Sequence, residues 1–402
     1  MNIEERFISY TKIDTTSKET EGIYPSNENE FVLGRQLVEE LKQLGIEDAR
    51  MDSKGFVYGT IESNVDYPTK TFGLLAHMDT SDATSGKDIK ARIIRNYDGK
   101  DIELSQGIYT TIADYDFLPG LKGKDLIVTD GTTLLGGDDK AGIAIIMDFA
   151  EKANTIKHGK IIVCFTIDEE TGEGIMQIDK NEFHPDFAYT LDGGCVSDVT
   201  YENFNAATAI VKFYGNSIHP GSAKGKMINA GQLAIDFHNM LPVNERPEYT
   251  EGREGFNHLV GFEGACQQAQ SVYIIRNHDK ALLEKQMHQF ELITMHINEM
   301  YGKQVVELQL ERAYSNMKEC FEGKEYIIDY ASDAIKELGY NVTYTPIRGG
   351  TDGANLSFMG IPTPNLGTGG YNCHGNHELV CIDEMKQMVD IVLKIAEKVA
   401  QQ

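Results

Sequence analysis

The stretch Gly159-Lys160-Ile161-Ile162-Val163-Cys164-Phe165-Thr166-Ile167-Asp168-Glu169-Glu170 decides the fold class of this sequence. From 160 to 166 it is an almost unbroken β-branched run, bounded by a glycine and an acidic cluster. Such a run does not alternate apolar with polar residues, as a half-buried strand does, and it is too short for a buried helix. It reads as a strand covered on both faces. Working outward, residues 140–152 form an amphipathic helix pattern before it, and strand-like runs occur at 55–61 and 71–76. Downstream, 187–191 is another buried strand, closed by Asp192-Gly193-Gly194. Helical periodicity marks 3–10 and 28–44 at the start and 382–400 at the end. Buried strands alternating with helices predict an α/β domain with a central sheet flanked by helices on both faces.

The middle third reads differently. Strand patterns at 206–214, 271–276 and 305–311 accompany helices at 230–241 and 279–301, with Pro242 and Pro247 as turn signals. A chain of 402 residues exceeds one typical compact core. The expectation is a discontinuous first domain, 1–205 and 314–402, with a smaller α+β domain, 206–313, inserted into it.

Composition excludes several function classes. The net charge is −25, with 62 acidic against 37 basic side chains, and no Lys/Arg-rich block occurs. This argues against a nucleic-acid partner and against an anionic membrane surface. The first residues, Met1-Asn2-Ile3-Glu4-Glu5-Arg6, lack the pattern of a secretory signal, and the longest apolar stretches fall far short of a membrane span. The six cysteines are scattered, with no Cys-x-x-Cys pair, and read as reduced thiols of a cytoplasmic protein.

Five clusters carry chemistry: His77-Met78-Asp79, Gly136-Gly137-Asp138-Asp139-Lys140, Asp168-Glu169-Glu170, Leu191-Asp192-Gly193-Gly194 and His374-Gly375-Asn376-His377-Glu378. Several directly follow strand-like runs, where open α/β sheets place their ligands. Imidazole and carboxylate groups are the ligands of zinc and related divalent ions. A pair of such ions needs a carboxylate that bridges them. His77, Asp138 and Asp192 suit one ion, and His374, Asp138 and Glu170 the other. Glu169 is then available as a general base that passes a proton from the attacking water to the leaving amine. Asp79 is placed to orient the His77 ring. Spacing alone does not choose between Asp138 and Asp139, nor between Glu169 and Glu170. Each cluster also has a plainer reading: Asp138-Asp139 as acids at a helix start, Asp168-Glu169-Glu170 as a solvated loop, His377-Glu378 as an ordinary exposed pair, and Lys140 as scaffolding at that helix start. It is the joint occurrence that favours the metal site.

Longer strings make the reading specific. Thr129-Asp130-Gly131-Thr132-Thr133-Leu134-Leu135-Gly136-Gly137-Asp138-Asp139-Lys140-Ala141-Gly142, Asn203-Phe204-Asn205-Ala206-Ala207, Gly215-Asn216-Ser217-Ile218-His219-Pro220-Gly221, Arg348-Gly349-Gly350-Thr351-Asp352-Gly353 and Gly369-Gly370-Tyr371-Asn372-Cys373-His374-Gly375 occur in order. With His77-Met78-Asp79-Thr80 they make the chain resemble the M20 metallopeptidase family, and within it the tripeptide aminopeptidases, from about residue 5 onward. The resemblance implies a zinc-exopeptidase-like catalytic domain and an inserted lid domain that also mediates contacts of a homodimer. It implies two Zn2+ per subunit, with Co2+ or Mn2+ as substitutes. It selects Asp138 as the bridge, Glu169 as the base, Glu170 as a ligand, and His374 over His377. For His219 it implies an oxyanion donor brought over the metals by the lid; the plain reading is a turn residue before Pro220. Arg276 and Arg348 are read either as surface salt-bridge partners or as the forked grip on a peptide's terminal carboxylate, which would act as a ruler for peptide length. The expected activity is release of the N-terminal residue from tripeptides. A dipeptidase, carboxypeptidase or N-acyl amino acid deacylase with the same ligands is the alternative. A non-catalytic metal-binding protein is disfavoured by the intact Glu169.

Overall fold

A computed structural model describes residues 1–20 and 22–401. The chain divides into two compact units, Met1–Tyr201 with Cys320–Thr345 and Thr351–Gln402, and Glu202–Glu319 with Pro346–Gly350.

The first unit is built on a seven-stranded mixed sheet. Its strands lie in the order Arg50–Met51, Val57–Ile61, Ile161–Thr166, Phe72–His77, Phe187–Gly193, Asn365–Gly367, Val199–Thr200. The four inner strands, Ile161–Thr166 through Asn365–Gly367, run parallel, and the outer ones are antiparallel. The deciding stretch therefore lies inside the sheet, and all six residues of Ile161–Thr166 are buried, as an apolar run without alternation requires. The Gly137–Lys152 helix packs on Phe72–His77 and Phe187–Gly193, and Ile382–Ala400 packs against that helix. Ile3–Thr11 begins at a reciprocal cap, in which Asn2 accepts the Glu5 amide at 2.9 Å while Glu5 accepts the Asn2 amide at 3.2 Å. Arg6 on this helix is buried and ties three segments together. It donates to Glu40 at 2.6 Å and to Asp148 at 3.2 Å and also pairs with Glu151.

Sequence patterning gave little warning of a second, four-stranded sheet in this unit, ordered Gly370–Tyr371, Leu379–Cys381, Leu126–Val128, Arg92–Ile94. Its strands are two or three residues long, too short for periodicity to register.

In the second unit, four antiparallel strands lie in the order Phe256–Gly264, Gln268–Asn277, Asn205–Tyr214, Val306–Arg312. Ala207, Ala209, Val211 and Phe213 point from one face into a core with Phe237 and Phe290 of the helices Ala230–Met240 and Lys280–Tyr301. Asp279 caps the longer helix by accepting the Leu282 amide at 2.9 Å. None of the six cysteines is in a disulfide, and among the described residues no helix is long and apolar enough to cross a membrane.

Candidate metal centre

Three neighbouring parallel strands deliver side chains at their carboxyl ends. His77 ends Phe72–His77, Glu169 and Glu170 lie in the turn after Ile161–Thr166, and Asp192 is the penultimate residue of Phe187–Gly193. Asp138 comes from the start of the Gly137–Lys152 helix. Its backbone there (φ −86°, ψ 103°) is not helical, although both Asp138 and Asp139 lie at the helix start, as the plainer reading has it. His374 arrives on the loop after Gly370–Tyr371. His374 and Asp168 both adopt left-handed backbone, φ 63° and 50°. For non-glycine residues that conformation costs about 1–3 kcal/mol and tends to gather at functional sites.

The structure brings the five proposed ligands together. Asp138 Oδ1 lies 2.9 Å from His77 Nε2, while its Oδ2 lies 3.0 Å from His374 Nε2. One carboxylate thus spans two imidazoles, with one oxygen for each. Asp192 Oδ1 stands 3.6 Å from His77 Nε2, and Glu170 Oε1 2.9 Å from His374 Nε2. Asp139 is engaged differently. It accepts the His77 amide at 3.2 Å and the Gly142 amide at 3.1 Å, both backbone donors.

Asp79 does more than orient a ring. It lies 3.2 Å from His77 Nδ1 and accepts the amides of Glu169 at 3.0 Å and Glu170 at 3.1 Å. A single buried carboxylate thereby fixes the His77 ring and the turn that presents Glu169 and Glu170.

Electrostatics follow from this crowding. Burial pushes Asp138 up, but the hydrogen bonds from His374 and His77 outweigh it and hold its carboxyl far below the usual range. The hydrogen bond to Asp138, together with the Glu170 carboxylate beside it, raises His374 to about 10. Burial, then the charge of Asp192, pushes Glu169 well above an ordinary carboxyl. Asp192 itself rises to about 6 through burial and its acidic neighbours.

The donor set suits divalent cations. His77, Asp138 and Glu170 present ligand atoms within 4.8 Å of one another, as do His77, Asp139 and Asp192. Glu170 Oε1 is buried and has no hydrogen-bond partner, despite its closeness to His374. A buried carboxylate oxygen without a donor is costly in a protein interior and well suited to a cation. The ligands are all oxygen and nitrogen, with no thiolate among them, which matches zinc, cobalt or manganese.

Residues 111–398 match peptidase family M20/M25/M40. The chain belongs to that family. It is 46% identical over 396 residues to peptidase T of Clostridium perfringens strain ATCC 13124, covering 98% of each chain. It is 47% identical over 402 residues to peptidase T of Shouchella clausii, covering 99% of this chain and 98% of the other. Among solved structures, aminopeptidase PepT from Bacillus cereus superposes with a TM-score of 0.79 at 22% identity, over 99% of this chain and 98% of that one. A dinuclear metal-binding M20 peptidase from Bacillus subtilis superposes with a TM-score of 0.63 at 14% identity, over 99% and 98%. The fold is thus shared with proteins that have diverged widely from this chain in sequence.

Three of the expected site residues belong to the second unit, and other residues escaped the sequence reading. His219, Arg276 and Arg348 belong to the second unit. His219 is exposed, and its Nδ1 accepts the Gly221 amide at 3.1 Å, which caps its own turn. Arg276 donates twice from Nη1, to Ala207 O at 3.1 Å and Ile275 O at 3.0 Å, and its guanidinium stands over Tyr314. Arg348 donates to Gly252 O, Glu254 O and Thr250 Oγ1 and stands over Phe204 and Phe256. Lys140 is fully buried and donates to Ile13 O at 2.9 Å; burial lowers it to about 8. Glu378, read from sequence as an exposed residue, is 1% exposed. Its pairing with backbone amides leaves no pattern in sequence. The only available signal was its place four residues after His374.

Proposed function

We propose that this chain is a metallo-aminopeptidase that removes the N-terminal residue of tripeptides, with two divalent ions, zinc in the first instance, held by His77, Asp138, Glu170, Asp192 and His374. The observation that carries the reading is Asp138, whose two oxygens each face a different imidazole, at 2.9 and 3.0 Å. A bridging carboxylate in a two-ion site needs that arrangement. The peptidase T relatives, similar over nearly the whole chain, support the substrate class.

When bound, the ion pair supplies Lewis-acid polarisation of the scissile carbonyl and makes water acidic near neutral pH. The chain's own residues do the rest. Glu169, raised by burial and by Asp192, takes the proton from the attacking water and delivers it to the leaving amine. Asp79 holds the Glu169 amide, so that the base cannot swing away with its turn. His77 keeps its Nε2 toward the centre because Asp79 occupies the Nδ1 side. We assign His219 to oxyanion stabilisation and Arg276 and Arg348 to recognition of the peptide's carboxyl end. The second unit serves as lid and as the contact surface of a homodimer, and the enzyme works in the cytoplasm.

The test is a panel of di-, tri- and tetrapeptides with free and blocked amino termini, offered to zinc-loaded and chelator-treated protein. Tripeptides with a free amine should be cleaved, and only by the loaded form. Glu169→Gln should lose about 10²–10⁴-fold in turnover while still taking up two ions. Equal cleavage of blocked peptides would defeat the aminopeptidase assignment.

A further inference from the structure

Glu378 is a buried carboxylate to which the centre described so far gives no role. Glu378 is 1% exposed. Its Oε2 accepts the amides of Leu135 at 2.6 Å and Gly136 at 2.8 Å, and its Oε1 accepts the amide of Asp138 at 3.1 Å. Three backbone donors converge on one side chain, an expensive arrangement to leave half-satisfied in a protein interior.

Two further observations show that the chain is shaped around this contact. A Cβ on Gly137 would lie 3.0 Å from Glu378 Oε1 and 2.5 Å from Val380 Cγ2. The glycine therefore lets the carboxylate come close to the turn. On the other side, the Glu378 amide donates to Gly375 O at 3.2 Å, closing the turn that directly follows His374. Asn376 and His377 within that turn are tied to Thr84 and Thr110. The strand Leu379–Cys381 then anchors it to Leu126–Val128. Through its backbone Glu378 belongs to the loop that presents His374; through its side chain it grips the loop that presents Asp138.

We propose that Glu378 is a positioning residue of the metal centre: by holding the Leu135, Gly136 and Asp138 amides it sets where the Asp138 carboxylate stands relative to His374, and so determines how tightly an ion is held between them. This rests on the reading of Asp138 as a bridge between two ions. Glutamine at 378 has the same shape but only one acceptor oxygen, so it turns an NH₂ toward at least one of the three amides. Aspartate keeps the charge but falls one methylene short of the turn.

The experiment is calorimetric titration of zinc into the chelator-treated full-length chain, wild type, Glu378→Gln and Glu378→Asp, with thermal unfolding of the metal-free proteins alongside. The wild type takes up two ions. Each variant should bind at least one ion about 10–100-fold more weakly, the range expected when a residue supporting a ligand is lost. Turnover should fall while KM for tripeptide stays within about threefold. If one variant does not fold, the other carries the test. Wild-type affinity for both ions in a folded variant overturns the role of Glu378, even if that variant melts earlier. A wild type that binds fewer than two ions overturns the two-ion reading itself.

Discussion

Gly142 offers a sharp test of how rigidly the centre is built. It lies in the Gly137–Lys152 helix, where replacing glycine by alanine ordinarily adds up to about 1 kcal/mol of stability. Here a Cβ would stand 2.1 Å from Leu191 O and 2.5 Å from Asp139 Oδ1, against 3.4 Å for an ordinary contact. Relief requires a shift of about 1.3 Å between the helix and the strand (3.4 − 2.1). The obstacle is backbone on an inner strand, paired on both sides by Phe72–His77 and Asn365–Gly367, so it cannot simply rotate away. Overpacking of this kind costs about 1–3 kcal/mol and outweighs the helix gain. Gly142→Ala should therefore lose about 1–2 kcal/mol by urea unfolding of the chelator-treated protein. The functional loss should be larger. Leu191 precedes Asp192, and a misplacement near 1 Å costs on the order of 100-fold in rate. The variant should show kcat/KM on a tripeptide down by about that factor, with weakened zinc uptake. If Gly142→Ala were as stable as the wild type and turned over within threefold of it, the strand would be yielding freely, and the argument from close approach would be wrong.

Other expectations concern sites away from that contact. Arg6→Met should cost about 3–5 kcal/mol by denaturant unfolding, because Glu40 would remain buried without a cation and Asp148 with Lys152 alone; a loss under about 1 kcal/mol would show that Glu40 finds another partner. Arg348→Ala should raise KM for tripeptides and flatten the preference over dipeptides, and unchanged length preference would remove the proposed ruler. Phe262 is 54% exposed on the outer strand Phe256–Gly264; Phe262→Asp should shift a sedimenting dimer to monomer, whereas a monomeric wild type would discard the dimer assignment.

The sequence made the parallel core legible because Ile161–Thr166 and Phe187–Gly193 are buried on both faces and so carry long apolar runs. The candidate site residues Glu169, Glu170 and Asp192 were legible for a related reason: they sit where those runs end. The strand Phe256–Gly264 escaped notice because it forms a sheet edge with most of its side chains in solvent and a register shift between Leu259 and Gly261. Residues 92–128 escaped because their strands are too short to show a period. Arg6 and Glu378 reveal a different limit. A charged side chain becomes a buried one only through partners distant in sequence, at Glu40 and Asp148 for the first and at Leu135 to Asp138 for the second. Spacing could not choose Asp138 over Asp139, and the family resemblance did; in three dimensions the two differ in that Asp139 accepts the His77 and Gly142 amides.

The order of strands in the main sheet also bears on how the protein is made. Asn365–Gly367 fills an inner position, and Val199–Thr200 reaches the sheet only by pairing with it. A ribosome that has released the first 200 residues has therefore produced most of the sheet with a gap in it. His374 emerges later still. A chain lacking these segments has the proposed ligands His77, Glu170 and Asp192 but no second imidazole for Asp138, so the proposed two-ion centre is incomplete without them. The interrupted layout thus makes the proposed centre depend on segments that lie on both sides of the second unit in sequence.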